Sequence, residues 1–136
     1  MSDLASLVGV PYVDRGRDID RDGGLDCYGL VRLGLERLGV QWPVDEAEAL
    51  AAPEGLARRL VDGERPGRGD VVEMSIEGQA HVGLVVDNGF TVLKHGDRRT
   101  PSVLVPLAVL RRLRVVVGIS RPRGTEPSHD VEHQAG

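Results

Sequence analysis

The stretch that decides the fold is "LDCYGLVRLGLERLG", residues 25–39. Its apolar positions recur at the three- and four-residue spacing of a buried helix face, at Cys27, Leu30, Val31, Gly34, Leu35 and Leu38. Gly39 follows the last of them, and glycine suits a helix C-terminus. The stretch therefore predicts a helix over residues 26–38, with the only cysteine of the chain in its first turn.

The residues on either side of this helix are less regular. Residues 2–9, "SDLASLVG", predict a short helix, and residues 13–25 form a polar loop rich in glycine, aspartate and arginine. Residues 44–62 predict one or two short helices that are interrupted at Pro53. The pattern does not decide whether residues 41–66 cover a cleft or pack beside it.

Beyond the turn cluster "ERPGRGD", residues 64–70, the apolar pattern becomes that of strands. The five candidate strands are "DVVEM" (70–74), "HVGLVV" (81–86), "FTVLKH" (90–95), "SVLVP" (102–106) and "RVVVGIS" (114–120), with a helical piece, "LAVLRRL" (107–113), before the last. Because helices precede a run of neighbouring strands, the predicted class is α+β, with N-terminal helices packed on an antiparallel sheet.

The composition limits the possible functions. The 136 residues suffice for one domain, which we assign to residues 1–120, followed by a polar, flexible tail over residues 121–136. A net charge of −4 argues against a general nucleic-acid binder, and a single cysteine allows no internal disulfide. No apolar run approaches membrane-spanning length, and the first residues do not resemble a signal peptide. We therefore expect synthesis in a cytoplasm without a secretion signal.

The polar loop has two interpretations. Asp18, Asp20 and Asp22 followed by Gly23 match the first half of a calcium-binding loop, although its twelfth position holds Gly29 instead of the usual glutamate. The alternative is a loop whose carboxylates pair internally with its arginines, Arg15, Arg17 and Arg21. We favour the alternative because two of the usual calcium ligands are lost.

Cys27 also has two interpretations. A thiol near a helix N-terminus is a better nucleophile, because the helix dipole and the unpaired N–H groups favour an anion. The same N–H groups can stabilise an oxyanion. Cys27 could equally be a small core residue, since it begins the apolar face of the helix.

The histidines favour the catalytic interpretation. His81 begins one predicted strand and His95 ends the next, with "DNG" between the strands. If Asp87, Asn88 and Gly89 form a three-residue loop, Val86 pairs with Phe90 and His81 lies opposite His95. A two-residue loop would place the two histidines on opposite faces of the sheet. We predict the three-residue loop, because such loops end in a left-handed residue and Gly89 suits that position. A cysteine with two adjacent imidazoles is then the arrangement of cysteine hydrolases.

Several segments together resemble the NlpC family of cell-wall cysteine peptidases, in the order that the family has them. The similar segments are "LVGVPYV", "LDCYGLVRLGLERLGV", "RPGRGDVVEM", "HVGLVVDNG" and "VLKHG", within residues 4–120. The resemblance implies a small papain-like α+β fold. It also implies that the chain hydrolyses an amide bond in peptidoglycan stem peptides, without a metal or cofactor.

The resemblance assigns roles to individual residues. Cys27 would be the nucleophile, His81 the general base and acid, and His95 the residue that orients His81. Asp26 would help to bind the free amine of a stem peptide, and Tyr12 would form a hydrogen bond near the reaction centre. Many family members have serine where this chain has Tyr28, and an aromatic residue there resembles the phage-tail branch. We therefore expect a component of a phage tail or tail-like particle that contacts tail-tip proteins and acts in the host cell envelope.

Two other functions remain open from the sequence. The first is a structural tail-tip protein that keeps this fold without turnover. The second is a metal-binding module, because Cys27, His81, His95 and Asp26 are possible zinc ligands by type. No pair of closely spaced ligands such as C-x-x-C supports zinc, and we treat the spacing of His129 and His133 in the tail as incidental.

Overall fold

In the computed structural model, which describes residues 3–43, 53–88, 90–95 and 100–123, helices pack on both faces of a six-stranded antiparallel sheet. The helices are a 3₁₀ helix (Asp3–Leu7), α1 (Ile19–Asp22), α2 (Cys27–Arg37), α3 (Pro53–Leu56) and α4 (Leu107–Arg112). The strands are β1 (Ala57–Arg59), β2 (Val71–Ile76), β3 (Gln79–Val85), β4 (Thr91–His95), β5 (Ser102–Pro106) and β6 (Val116–Pro122), in the order β1-β6-β2-β3-β4-β5. The predicted α+β class is confirmed.

Helix α2 is the helix that the sequence predicts, and it packs on one face of the sheet. Asp26 is its N-cap residue, and Gly39 just beyond its end adopts a φ of 83°. A buried cluster joins α2 and the N-terminal segment to β2, β3 and β4; it consists of Leu4, Leu7, Val10, Leu25, Leu30, Val31, Leu35, Val40, Val71, Leu84 and Leu93. A side chain at Gly34 would lie 2.5 Å from Leu84 Cδ2, so glycine allows α2 to approach β3 closely.

The opposite face of the sheet has a second core. Its buried residues are Val72, Met74, Val85, Val92, Leu107, Leu110 and Ile119, of which Leu107 and Leu110 come from α4. Because successive residues of a strand point to opposite faces, neighbours such as Val71 and Val72 contribute to different cores. The middle of the sheet is therefore covered on both faces, whereas edge strand β5 keeps Val103 and Leu104 exposed.

Two predicted segments differ from the structure. Residues 57–59, expected to be helical, form β1, because Ala57 pairs with Pro122 and Arg59 with Ser120. Within the predicted loop, Ile19–Asp22 forms the short helix α1. Strand β6 extends to Pro122, two residues past the predicted end of the domain. The predictions for residues 44–52, and those for His129 and His133, lie outside the described residues.

The predicted register of the β3–β4 hairpin is wrong. Leu84 pairs with Leu93 and Val85 with Val92, and the amide of Phe90 donates to the carbonyl of Asp87 over 3.3 Å. This is the register of a two-residue loop, one residue from the predicted pairing of Val86 with Phe90. The Asp87 carboxylate favours it by accepting a hydrogen bond from the amide of Thr91 over 3.0 Å. In this register His95 is not the residue directly paired with His81, so the predicted pairing of the two histidines is wrong.

Candidate active site

The segment before α1 runs alongside the residues that lead into α2. Tyr12 and Leu25 form a parallel bridge, in which the amide of Leu25 donates to Pro11 over 3.0 Å and the amide of Val13 donates to Leu25 over 3.2 Å. Backbone pairing therefore fixes Tyr12 beside the N-terminus of α2, where the resemblance expects it.

Close backbone contacts hold the same segment against the first turn of α2. A side chain at Gly29 would lie 2.2 Å from the carbonyl oxygen of Gly16, a distance that no Cβ atom tolerates. The obstacle is backbone and cannot rotate away, so the glycine two residues after Cys27 is required by packing. The Gly16 carbonyl also accepts a 3.4 Å hydrogen bond from the amide of Asp26.

Asp26 caps the helix that begins with Cys27. Its backbone is extended, and its Oδ1 accepts a 2.8 Å hydrogen bond from the amide of Gly29, as expected for an N-cap aspartate. The same oxygen accepts a 2.6 Å hydrogen bond from Nη1 of Arg17. Asp26 is 8% exposed, so the structure buries this carboxylate together with a compensating charge.

Cys27 is the first residue of α2 and is half-buried. It has no disulfide partner, because it is the only cysteine of the chain. The position is the one the sequence predicts, at the end of the helix where the dipole favours an anion. The residue is therefore not part of the fully buried core.

His95 is the imidazole that lies at this end of α2. It is 3% exposed, and its ring centre lies 5.1 Å from that of Tyr12 in an edge-to-face contact. Burial lowers the pKa of His95, opposed by the backbone carbonyls of Thr100 and Leu25 and by the charge of Asp26. The imidazole is therefore neutral at neutral pH.

The hydrogen bonding of His95 leaves one ring nitrogen as a proton acceptor. Nδ1 lies 3.3 Å from the carbonyl oxygen of Thr100, which can only accept, so Nδ1 carries the proton. Nε2 is then the unprotonated nitrogen of the neutral ring; it is buried, and the carbonyl of Leu25 also acts on this imidazole. A neutral imidazole can take a proton.

His81 lies elsewhere. It pairs with Met74 across the β2–β3 ladder, and residues paired directly across an antiparallel ladder share a face. Met74 belongs to the core that α4 covers, so His81 is on the face of the sheet opposite α2. The structure brings Tyr12, Asp26 and His95 to the start of α2, and the β2–β3 ladder places His81 opposite Met74.

Tyr28 is the buried aromatic residue that follows Cys27 in the first turn of α2. It is 8% exposed, and its hydroxyl donates a 2.5 Å hydrogen bond to the carbonyl of Pro43, which ties the segment after α2 to the helix. The guanidinium carbon of Arg17 lies 4.9 Å from the centre of its ring, within the range of a cation–π contact. The aromatic residue after the cysteine thus packs against the positive partner of Asp26.

The carboxylates of Asp18 and Asp22 accept hydrogen bonds from within the polar loop. Asp18 Oδ1 caps α1 by accepting from the amide of Arg21, and Asp22 accepts from the amides of Arg17 and Asp18 and from the Arg21 side chain. These contacts support internal pairing over the calcium interpretation. Among the residues that the structure describes, no three metal-ligating side chains cluster. No described helix has the length and apolarity needed to cross a bilayer.

Arg17 is the site residue that sequence reasoning did not identify. It is one of three arginines in the loop, and Arg21 does pair there, with Asp22 at 3.0 Å. Arg17 instead reaches Asp26, nine residues away. The only signal in the sequence is an arginine nine residues before an aspartate at the start of the predicted helix, which does not by itself define a contact.

Together these features define an α+β domain with a half-buried thiol at the capped start of a helix and a neutral imidazole held at the same end. The NlpC/P60 family matches residues 9–105, and the chain belongs to this family. Among solved structures, the fold is similar to the NlpC/p60 domain of the peptidoglycan hydrolase SagA, with a TM-score of 0.56 and 18% identity over 85% of this chain and 90% of that chain. No curated protein sequence is significantly similar to the chain.

Proposed function

We propose that this chain is a cysteine hydrolase that cleaves an amide bond in peptidoglycan stem peptides. The observation that carries the proposal is the half-buried Cys27 at the start of a capped helix, with the neutral imidazole of His95 held at the same end. Family membership supports the type of chemistry. The experiment that tests it is a comparison of peptidoglycan hydrolysis by the wild type and by Cys27→Ala.

The proposed reaction has two steps. An imidazole takes the thiol proton as Cys27 Sγ attacks the carbonyl carbon, and the imidazolium returns that proton to the departing amine. Water, deprotonated by the same imidazole, then attacks the thioester and releases the acid product and the thiol. Backbone N–H groups of the first turn of α2 are the proposed donors to the oxyanion. The proposal needs no metal or cofactor.

Two histidines are candidates for the base. The family resemblance assigns proton transfer to His81 and the orientation of His81 to His95. His95 is also a candidate for the base itself, because its ring contacts Tyr12 and lies close enough to Asp26 for that charge to act on its pKa. His95 is needed in both assignments, and the activity of His81 variants decides between them.

The substrate class rests on similarity of fold. The SagA domain, by its description, belongs to a peptidoglycan hydrolase, and it shares this arrangement of helices and sheet. The segments that resemble the NlpC family agree with this substrate. Tyr12 remains the proposed hydrogen-bonding residue near the reaction centre, and Tyr28 a support of the substrate-binding region.

We expect that cleavage does not require a free amine on the stem peptide. The resemblance gives Asp26 the role of binding that amine, but Arg17 already compensates its charge through a 2.6 Å contact. An ammonium group would meet a neutral pair, and the nearby guanidinium would repel it. The measurement compares kcat/KM for a stem peptide with that for its N-acetylated form. A ratio within about threefold is expected, whereas a loss of about tenfold or more on acetylation would restore the amine-binding role.

We also propose that the chain is a component of a phage tail or tail-like particle. The support is the aromatic Tyr28 after the cysteine, as in the phage-tail branch that the sequence resembles. The test is detection of the chain, by antibody or peptide mass, in tail particles purified from the source cells. We expect it to copurify with tail-tip proteins; its presence only in particle-free fractions would refute the tail assignment.

A further inference from the structure

Arg17 makes three contacts around the residues that flank Cys27. Its Nη1 donates to Asp26 Oδ1 over 2.6 Å and to the carbonyl of Gly16 over 3.0 Å, and its guanidinium carbon lies 4.9 Å from the centre of the Tyr28 ring. Asp26 and Tyr28 are the residues immediately before and after the cysteine. One side chain from the preceding loop therefore holds both neighbours of the proposed nucleophile.

The carboxylate of Asp26 has two effects on the thiol. Its Oδ1 caps α2 at Gly29, which fixes the first turn. As an anion next to Cys27, it also opposes formation of a thiolate, because like charges at short range disfavour ionisation. A carboxylate with only 12% of its side chain exposed would be costly to bury alone.

The guanidinium of Arg17 reduces the opposition of Asp26 to a thiolate while Asp26 still caps α2 at Gly29. Its positive charge cancels that of Asp26 while the hydrogen bond holds Oδ1 in its capping position. Other titratable side chains described near this end of α2 are Tyr28, on the same helix, and Tyr12, His95 and the buried Lys94, whose Nζ donates to the carbonyl of His95. Burial lowers the pKa of His95. Asp26 and Arg17 form the ion pair at the N-cap of α2, beside Cys27 in the chain.

We propose that Arg17 is a positioning residue that keeps Cys27 reactive by neutralising and fixing Asp26. The inference rests on the proposed nucleophilic role of Cys27 and adds a residue that acts through the N-cap of α2. Loss of the guanidinium and loss of the carboxylate change the charge beside the thiol in opposite directions. We therefore expect substitutions of Arg17 and of Asp26 to shift the reactivity of Cys27 in opposite directions.

The experiment measures the rate of iodoacetamide alkylation as a function of pH in the full chain. Cys27 is the only cysteine, so the signal has one source. We expect Arg17→Met to raise the midpoint of the alkylation profile by about half a pH unit or more. We expect Asp26→Asn to lower it, because asparagine still caps the helix but leaves Arg17 uncompensated. Arg17→Lys should stay close to the wild type.

Two further variants separate charge from structure. The double variant Arg17→Met/Asp26→Asn removes both charges and is expected to return the midpoint toward the wild-type value. Arg21→Met is the matched control: Arg21 pairs with Asp22 in the same loop with its side chain 70% exposed, and its loss should leave the midpoint unchanged. If Arg17→Met does not fold, the downward shift in Asp26→Asn still tests the proposal.

Equal midpoints in the wild type and Asp26→Asn would overturn the proposal, as would a double variant that stays at the midpoint of Arg17→Met. The alkylation profile does not depend on turnover, so the two proposals can fail separately. Unchanged peptidoglycan hydrolysis by Cys27→Ala would refute the proposed function. Loss of hydrolysis in Cys27→Ala together with unmoved midpoints would refute only the role of Arg17.

Discussion

Cys27→Ala is expected to lower the rate of stem-peptide hydrolysis by at least about a thousandfold. The variant removes the only atom that can form the thioester, and no other cysteine can replace it. The expected loss is in kcat, because the substrate contact proposed for Tyr12 remains. Initial rates on a synthetic stem peptide at saturating concentration measure it.

Two controls separate the loss of the nucleophile from other effects of the substitution. Cys27 is half-buried, so the alanine variant should keep nearly the wild-type melting temperature, which separates lost chemistry from lost fold. Cys27→Ser keeps the size and polarity of the side chain but has a weaker nucleophile, and it should be nearly as inactive as the alanine variant. Retention of about a tenth or more of wild-type activity by Cys27→Ala would exclude cysteine catalysis.

His95→Ala is expected to lower hydrolysis by at least about a hundredfold. Its neutral imidazole has Nδ1 held by the carbonyl of Thr100, so Nε2 is the unprotonated nitrogen. It is the histidine that packs beside Tyr12, on the face of the sheet that α2 covers. Initial rates of the purified variant on the same stem peptide measure the loss.

His81→Ala is the matched comparison for His95→Ala. If His95 is the base, the loss in His81→Ala will be the smaller of the two; if the assignment from the resemblance holds, it will be the larger. Because His95 is buried and His81 is partly exposed, melting temperatures of both variants show whether a lost activity reflects a lost fold. Near wild-type activity of a folded His95→Ala would contradict both assignments.

The sequence predicts the elements of this fold that arise from local periodicity. The three- and four-residue spacing of apolar residues predicts α2, and Asp26 caps it as expected for an aspartate before an apolar run. The strands after residue 70 follow from runs of β-branched residues. Strand β1 could not be predicted in this way, because three residues between a short helix and a turn become a strand only by pairing with β6, about sixty residues later.

The sequence between β3 and β4 fits two hairpin loops, one of three residues and one of two. The three-residue loop is predicted because Gly89 suits the left-handed position that ends such a loop, and it would also pair His81 with His95, although Asn-Gly between two strands favours a two-residue turn. The structure has the register of the two-residue turn, in which Asp87 accepts from the amides of Phe90 and Thr91.

The candidate site was predicted in part. The residue pattern places Cys27 at a helix start, and the family resemblance places Tyr12 near the site. It did not predict the pair of Arg17 with Asp26, because that contact depends on how the loop folds back over the helix. Nor did it predict that Tyr28 would be buried with its hydroxyl on Pro43. Both contacts are tertiary and leave no pattern along the chain.

We propose that Cys27 cleaves peptidoglycan stem peptides without a metal. This mechanism is tested by mass spectrometry of peptidoglycan digests with the wild type, with Cys27→Ala, and with the wild type in excess chelator. We predict new peptide fragments from both wild-type samples and none from the variant, with masses that identify the bond. Fragments from Cys27→Ala, loss of fragments with chelator alone, or no fragments in any sample would each contradict it.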